Sequence, residues 1–160
     1  MFDVTRYAIA AQSIVEAGRF LYDRGWSPAT SSNYSARIDS DHVAITVSGR
    51  HKGQLAAGDV MVVDLNGNPV QSNCKSSAET LLHTVLYQVF PDAGAVLHTH
   101  SVKATVLSRL IPPGQSLELE GYELQKAFAG VTSHEGRLSV PVFDNTQDIP
   151  ALAEQTGEWF

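Results

Sequence analysis

The sequence predicts a mixed α/β domain whose sheet is not purely parallel. Segments with apolar residues at helical spacing alternate with short apolar runs typical of strands. Short turns, such as the one at 39–41, join several of these runs, and they are too short for the helical crossover that parallel neighbours need. The 160 residues suffice for a hydrophobic core, so we expect a single domain over residues 1–160.

The first half of the chain opens with a helix and continues with strands. Apolar residues recur on one helical face over 4–24, and Gly25 follows as a terminator. The next alternating segments are bounded by polar loops and turn residues. They predict three strands, at about 34–38, 43–47 and 60–64.

The second half mixes helices and strands. A second helix is predicted over 77–90, where Pro91 ends it, and a short apolar strand follows. Further helices are expected at 102–110, at 121–129 and from 149 onwards. A strand is predicted at 138–143, and Pro141 within it indicates a sheet edge or a bulge.

Charge and composition exclude several classes of protein. The net charge of −6 argues against broad nucleic-acid binding, which needs a basic surface. No apolar run is long enough to cross a membrane, and the first residues lack the apolar core of a signal peptide. Cys74 is the only cysteine, which excludes a disulfide within the chain and favours a reducing compartment. We therefore expect a cytoplasmic protein.

Two histidines end the strand after the second helix. Alternate side chains of a strand share a face, so His98 and His100 point to the same side, about 7 Å apart along the strand. Imidazole suits zinc, and catalytic zinc usually has three protein ligands and one open position. The spacing indicates part of a zinc site. Two-residue metal motifs often match by chance, so the spacing alone favours the alternative of two polar residues where a strand emerges into solvent.

Two polar segments have the chemistry of an anion site. Ser48 and Gly49 follow a predicted strand, and Ser76 and Ser77 precede the second helix, whose positive end favours a phosphate. The same helix start also reads as a capping box, with Ser76 accepting from the first turn and Glu79 reaching back. The residues alone favour the capping interpretation.

Five segments, spread over nearly the whole chain and in the same order, resemble the class II aldolase/adducin superfamily. They are Gly25-Trp26-Ser27-Pro28-Ala29-Thr30-Ser31-Ser32-Asn33-Tyr34-Ser35, Ser48-Gly49-Arg50-His51-Lys52-Gly53, Ser76-Ser77-Ala78-Glu79-Thr80, His98-Thr99-His100-Ser101 and Pro141-Val142-Phe143-Asp144-Asn145-Thr146. The resemblance implies a three-layer α/β/α sandwich around a largely antiparallel sheet. It also implies a homotetramer.

The resemblance assigns metal and phosphate residues. It makes His98 and His100 ligands of one zinc ion per subunit. Superfamily members have a third zinc histidine further along, and no histidine follows His134 here, so the third ligand is expected beyond Phe160 and the domain is expected to lack its C-terminal part. The relatives hold the substrate phosphate with the equivalents of Ser32, Asn33, Ser48, Gly49, Ser76 and Ser77.

Two glutamates compete for the acid/base role. Glu79 matches the glutamate that moves protons in the aldolases, apart from the inserted Ala78. Glu123, in Gly121-Tyr122-Glu123-Leu124-Gln125-Lys126, matches the acid/base residue of the dehydratases, and the resemblance favours it. His83 lies four residues after Glu79 and is expected to share its helix face as a hydrogen-bonded structural residue.

The implied activity is the dehydration of a phosphorylated ketose, 5-methylthioribulose 1-phosphate, in methionine salvage. The alternative is a zinc-dependent sugar-phosphate aldolase or epimerase of the same superfamily. A third interpretation is an adducin-like scaffold without catalysis, against which the retained histidine pair argues.

Overall fold

The computed structural model describes residues 1–112 and 114–160, which form two compact units. Met1–Ser101 and Gln147–Phe160 make up the first unit, and Val102–Thr146 make up the second. Each unit has its own antiparallel sheet, with four strands in the first and two in the second. Within the described residues, no helix is both long and apolar enough to span a membrane.

Four strands form the sheet of the first unit. They are β1 (Asn33–Arg37), β2 (His42–Thr46), β3 (Val60–Asp64) and β4 (Ala95–His98). Their spatial order is β3-β2-β1-β4, and every neighbouring pair is antiparallel. The predicted strands agree with β1, β2 and β3 to within one residue at each end. The prediction that the sheet is not purely parallel is confirmed.

Helices cover both faces of this sheet. One face carries α1 (Val4–Asp23), and the other carries α2 (Thr80–Val89), which packs beside α4 (Ile149–Trp159). Successive side chains of β2 point to opposite faces of the sheet, so this strand contributes to both helix–sheet interfaces. Ala44 packs on the α1 side, whereas Val43 and Ile45 pack with Tyr87 of α2. The three-layer α/β/α arrangement is confirmed.

Helix α1 has clear ends and a tight contact in its middle. The Asp3 carboxylate accepts from the amides of Thr5 and Arg6 at the start, and Gly25 adopts a φ of 70° just beyond the end. Gly18 lies where a β-carbon would come within 2.6 Å of Leu55 Cδ1 and 3.0 Å of a backbone oxygen. The fifth turn of the helix therefore approaches the rest of the protein as closely as a glycine permits.

We expect the Gly18→Ala variant to be less stable than wild type, although alanine is the better helix former. Overpacking a core typically costs about 1–3 kcal/mol, whereas replacing glycine within a helix gains at most about 1 kcal/mol. A net loss of about 1 kcal/mol in the free energy of unfolding should appear in urea titrations. Gly94→Ala is the control, because a β-carbon there would meet no atom within 4 Å. A Gly18→Ala protein as stable as wild type would contradict the tight contact.

The second unit contains α3 (Val102–Ser108) and a hairpin of β5 (Ser116–Glu120) and β6 (Arg137–Pro141). The sequence analysis did not identify β5. The helix predicted at 121–129 is wrong, since only Glu123–Ala127 are helical, as a short 3₁₀ turn. The buried Gln125 side chain holds this turn by donating to the carbonyls of Leu119 and Gly136 and accepting from the Tyr122 amide.

Candidate active site

A polar pocket of about 300 Å³ opens at one end of the four-stranded sheet. Antiparallel pairing brings the start of β1 beside the end of β4, so that Asn33 is directly opposite His98. The loops around 30–33, 46–52 and 77–79 surround this point. The residues that line the pocket are Thr30, Ser31, Ser32, Asn33, Thr46, Val47, Ser48, Gly49, Lys52, Ser77, Ala78, Glu79 and His100.

The two histidines of the predicted metal site lie side by side. The ring centroids of His98 and His100 are 4.7 Å apart, and their planes are tilted by 38°. The backbone amide of His100 donates to the Trp26 carbonyl at 2.7 Å, which fixes the chain just beyond β4. Among the residues that the structure describes, no group of three or more His, Cys, Asp or Glu side chains is arranged to hold a metal ion.

The environment of His98 favours its neutral form. Burial lowers the pKa of the His98 imidazole, and His100 lowers it further, while the nearby Glu79 carboxylate opposes both effects. A neutral imidazole keeps a lone pair for a metal ion, and zinc prefers such nitrogen donors. The two adjacent imidazoles of His98 and His100 fit zinc as part of its ligand set.

Glu79 faces the histidines instead of capping its helix. α2 begins at Thr80, and the Glu79 side chain makes no capping hydrogen bond, so the predicted capping box is wrong. Its Oε2 accepts from the Asn33 side-chain amide and lies 3.5 Å from His98 Nδ1. A carboxylate that accepts from Asn33 inside the pocket cannot also reach back to the helix amides.

Behind Glu79, a row of buried polar side chains connects α2 to β1. The Asn33 side-chain oxygen accepts from His83 Nε2, and His83 Nδ1 lies 2.7 Å from Ser35 Oγ. Ser35 Oγ is in turn 2.9 Å from the Tyr87 hydroxyl. Burial lowers the pKa of His83 to about 3, with the charge of His98 as a smaller cause. His83 is therefore neutral at physiological pH.

Five of the six residues predicted to bind phosphate line the pocket: Ser32, Asn33, Ser48, Gly49 and Ser77. The Ser32 side chain is buried at the edge of the pocket, and its hydroxyl acts on that of Tyr34, whose pKa burial raises and the Ser27 and Ser32 hydroxyls lower. Gly49 has a φ of 74°, which lets the loop turn tightly beside the pocket. Ser76 is not among the lining residues and instead forms a backbone bridge with Val47.

Lys52 is a site residue that the sequence did not predict. Of the three neighbouring basic side chains Arg50, His51 and Lys52, only Lys52 lines the pocket. Arg50 pairs with Asp59 at 3.2 Å, and the His51 ring packs against Tyr22. The Lys52 ammonium is buried and donates to the carbonyls of Thr30 and Arg50. Burial lowers its pKa, and the carboxylates of Glu79 and Asp59 partly offset that effect.

Glu123 belongs to the second unit. Its carboxylate pairs with the Lys126 ammonium and lies 2.9 Å from His134 Nδ1. The side chain is 69% exposed, as expected for a glutamate on a short surface helix. Its role as acid/base residue stays a prediction.

Comparison with known proteins agrees with this architecture. Residues 12–160 match the family model for the class II aldolase and adducin N-terminal domain. The chain belongs to the class II aldolase and adducin family. Members of this family typically depend on a metal ion.

Within the class II aldolase and adducin family, the chain is 85% identical over all its 160 residues to a methylthioribulose-1-phosphate dehydratase from Marinobacter nauticus. It covers 77% of that relative's length.

Solved structures of the family have the same fold. An L-fuculose 1-phosphate aldolase is 31% identical with a TM-score of 0.59, over 66% of this chain and 50% of the aldolase. This chain therefore spans about half the length of that enzyme. YgbL from Klebsiella pneumoniae is 20% identical with a TM-score of 0.64, over 96% of this chain and 89% of YgbL. At that identity the likeness shows the fold alone.

Proposed function

We propose that this protein is a hydro-lyase that converts 5-methylthioribulose 1-phosphate into 5-methylthio-2,3-dioxopentyl phosphate and water in methionine salvage. The observation that carries the proposal is the 85% identity over the whole chain to a methylthioribulose-1-phosphate dehydratase. The pocket supports it, because the His100 imidazole, a carboxylate, hydroxyls and a lysine line one cavity large enough for a small sugar phosphate, and His98 lies beside His100.

We assign one zinc ion per subunit to His98 and His100, whose rings are adjacent; the environment of His98 lowers its pKa and so favours its neutral form. When bound, zinc supplies a positive charge that stabilises electron density on the oxygens at C2 and C3 of the substrate. Glu79 accepts from Asn33 beside His98, and we assign it to orienting that ring.

The acid/base step is assigned to Glu123 on the strength of the resemblance. The Glu123 carboxylate takes the proton from C3, and the carboxyl group formed in this way donates a proton to the C4 hydroxyl, which leaves as water. The resulting enol then tautomerises to the 2,3-dicarbonyl product, so atoms and charge balance. The side chains of Ser32, Ser48 and Lys52 are assigned to the phosphate, whose binding holds the reacting carbons in place.

Replacement of Lys52 by methionine should weaken binding of the phosphate group. A hydrogen bond to a charged group contributes about 1.5–3 kcal/mol, which corresponds to roughly a ten- to hundredfold increase in KM. Inhibition by inorganic phosphate should weaken by a similar factor. Lys103→Met is the control, because that lysine is exposed and lies in the second unit. A folded Lys52→Met protein with unchanged KM and phosphate inhibition would exclude Lys52 from the phosphate site.

A second candidate function is a zinc-dependent sugar-phosphate aldolase or epimerase, which the 31% identity to an L-fuculose 1-phosphate aldolase favours. Product analysis with 5-methylthioribulose 1-phosphate separates the candidates. Dehydration gives one dicarbonyl phosphate, aldol cleavage gives two fragments, and epimerisation gives an isomer of unchanged mass. Detection of fragments or of an isomer without the dicarbonyl would overturn the proposal. A homotetramer is proposed from the resemblance, and sedimentation analysis tests the assembly. A cytoplasmic location is proposed from the single cysteine, which favours a reducing compartment.

A further inference from the structure

We propose that His83 is a positioning residue for Glu79, acting as the neutral tautomer that carries its proton on Nε2. In this form it fixes the Asn33 side chain so that the amide nitrogen faces the Glu79 carboxylate and the His98 ring. Its effect on catalysis rests on the function proposed above, whereas its tautomer does not.

The direction of each hydrogen bond follows from the carboxylate at one end of the row. Glu79 is an acceptor, so the Asn33 group beside it must be the nitrogen, which donates to Oε2. The Asn33 oxygen then faces His83 Nε2 and can only accept, so Nε2 must carry a proton. A flipped Asn33 amide would place its oxygen against the Glu79 carboxylate, and that contact is repulsive.

The other ring nitrogen of His83 completes the assignment. The neutral ring has one proton, so Nδ1 must accept from the Ser35 hydroxyl 2.7 Å away. Ser35 Oγ then accepts from the Tyr87 hydroxyl at 2.9 Å. A charged ring could satisfy the same distances only by donating from both nitrogens. His83 is buried, and burial lowers its pKa to about 3, which disfavours that state.

The position of the row explains how it acts on the site. Glu79 and His83 are four residues apart at the start of α2, so their side chains lie on one face of the helix. Asn33 and Ser35 are two residues apart on β1, so their side chains lie on one face of the strand, and the two faces meet. The Asn33 side-chain nitrogen, which donates to Glu79, also lies 3.3 Å from His98 Nδ1. A change at His83 therefore reaches His98 through Asn33, without His83 touching the substrate.

Nuclear magnetic resonance of the wild-type protein tests the tautomer directly. Long-range ¹⁵N–¹H correlation spectra of the histidine rings should show His83 neutral with its proton on Nε2, unchanged between about pH 5 and 8, where an ordinary histidine titrates. A proton on Nδ1, or a ring that becomes charged in this range, would overturn the inference. This experiment needs neither substrate nor turnover.

Two variants test the consequence for the site. His83→Leu removes both ring nitrogens and should weaken zinc affinity, measured by chelator competition, by about 10- to 100-fold, with kcat falling more than KM rises. His83→Gln retains an N–H donor for Asn33 and should recover most of the loss. His42→Gln is the control, because His42 pairs with Asp39 and does not line the pocket.

The outcomes distinguish this inference from the proposed function. A folded His83→Leu protein with wild-type zinc affinity and kcat would show that His83 has no positioning role. Equal losses in the leucine and glutamine variants would indicate packing alone and would also overturn the inference. A wild-type protein that fails to dehydrate 5-methylthioribulose 1-phosphate, but shows the expected tautomer and the zinc response, would overturn only the proposed function.

Discussion

Replacing His98 by alanine should abolish both zinc binding and turnover. The variant removes one of two adjacent imidazoles whose rings are 4.7 Å apart, and it leaves the Glu79 carboxylate without its imidazole neighbour. Because loss of a ligand affects metal affinity directly, the zinc content of the purified variant should fall together with the rate of dicarbonyl formation. Elemental analysis and a turnover assay measure the two quantities on one sample.

The matched control for His98→Ala is His42→Ala, which removes a histidine from β2 that pairs with Asp39 and does not line the pocket. We expect that control to retain zinc and turnover. Full zinc content in folded His98→Ala protein would exclude His98 as a ligand. Full activity after loss of zinc would instead remove the metal from the mechanism.

Replacing Glu123 by glutamine should leave zinc bound and reduce turnover. Loss of a general acid or base typically costs about 10²- to 10⁴-fold in rate, and glutamine preserves the size of the side chain. The carboxylate is exposed and paired with Lys126 and His134, so folding should be little affected. Zinc content, thermal stability and kcat of the variant separate these effects.

Glu79→Gln is the informative comparison for Glu123→Gln. Glu79 lies beside His98 and accepts from Asn33, so its replacement should lower zinc affinity as well as turnover. We therefore expect the Glu79→Gln variant to lose both zinc affinity and turnover, and the Glu123→Gln variant to lose turnover alone. This difference distinguishes the roles of the two glutamates. A fully active Glu123→Gln protein would move the acid/base role to another carboxylate, and Glu79 would be the first to test.

The strands of the first unit were predictable because they are short apolar runs bounded by turns and polar loops. The turn at 39–41 joins β1 to β2, and the predicted bounds of β1, β2 and β3 agree with the structure to within one residue. In the second unit, β5 was missed and the helix at 121–129 was wrong. The region between β5 and β6 is ordered by Gln125, which bonds to Leu119 and Gly136. Such side-chain contacts are not visible in local periodicity.

The site was predictable in its residue types and less so in its contacts. The histidine pair follows from strand alternation, and five of the residues that line the pocket follow from the resemblance. The orientation of Glu79 could not be predicted, because a glutamate three residues after a serine also forms a capping box. The structure shows that Asn33, a partner 46 residues away in sequence, decides between the two. Lys52 was missed because a lysine in a polar loop is usually exposed.

Zinc titration of metal-free protein tests the central claim most directly. The protein is stripped with chelator, zinc is added in steps, and the dicarbonyl product formed from 5-methylthioribulose 1-phosphate is measured at each step. We expect no product without zinc and a rate that rises in proportion to bound zinc until each chain holds one ion. A stripped protein that forms the dicarbonyl at the untreated rate would contradict the account.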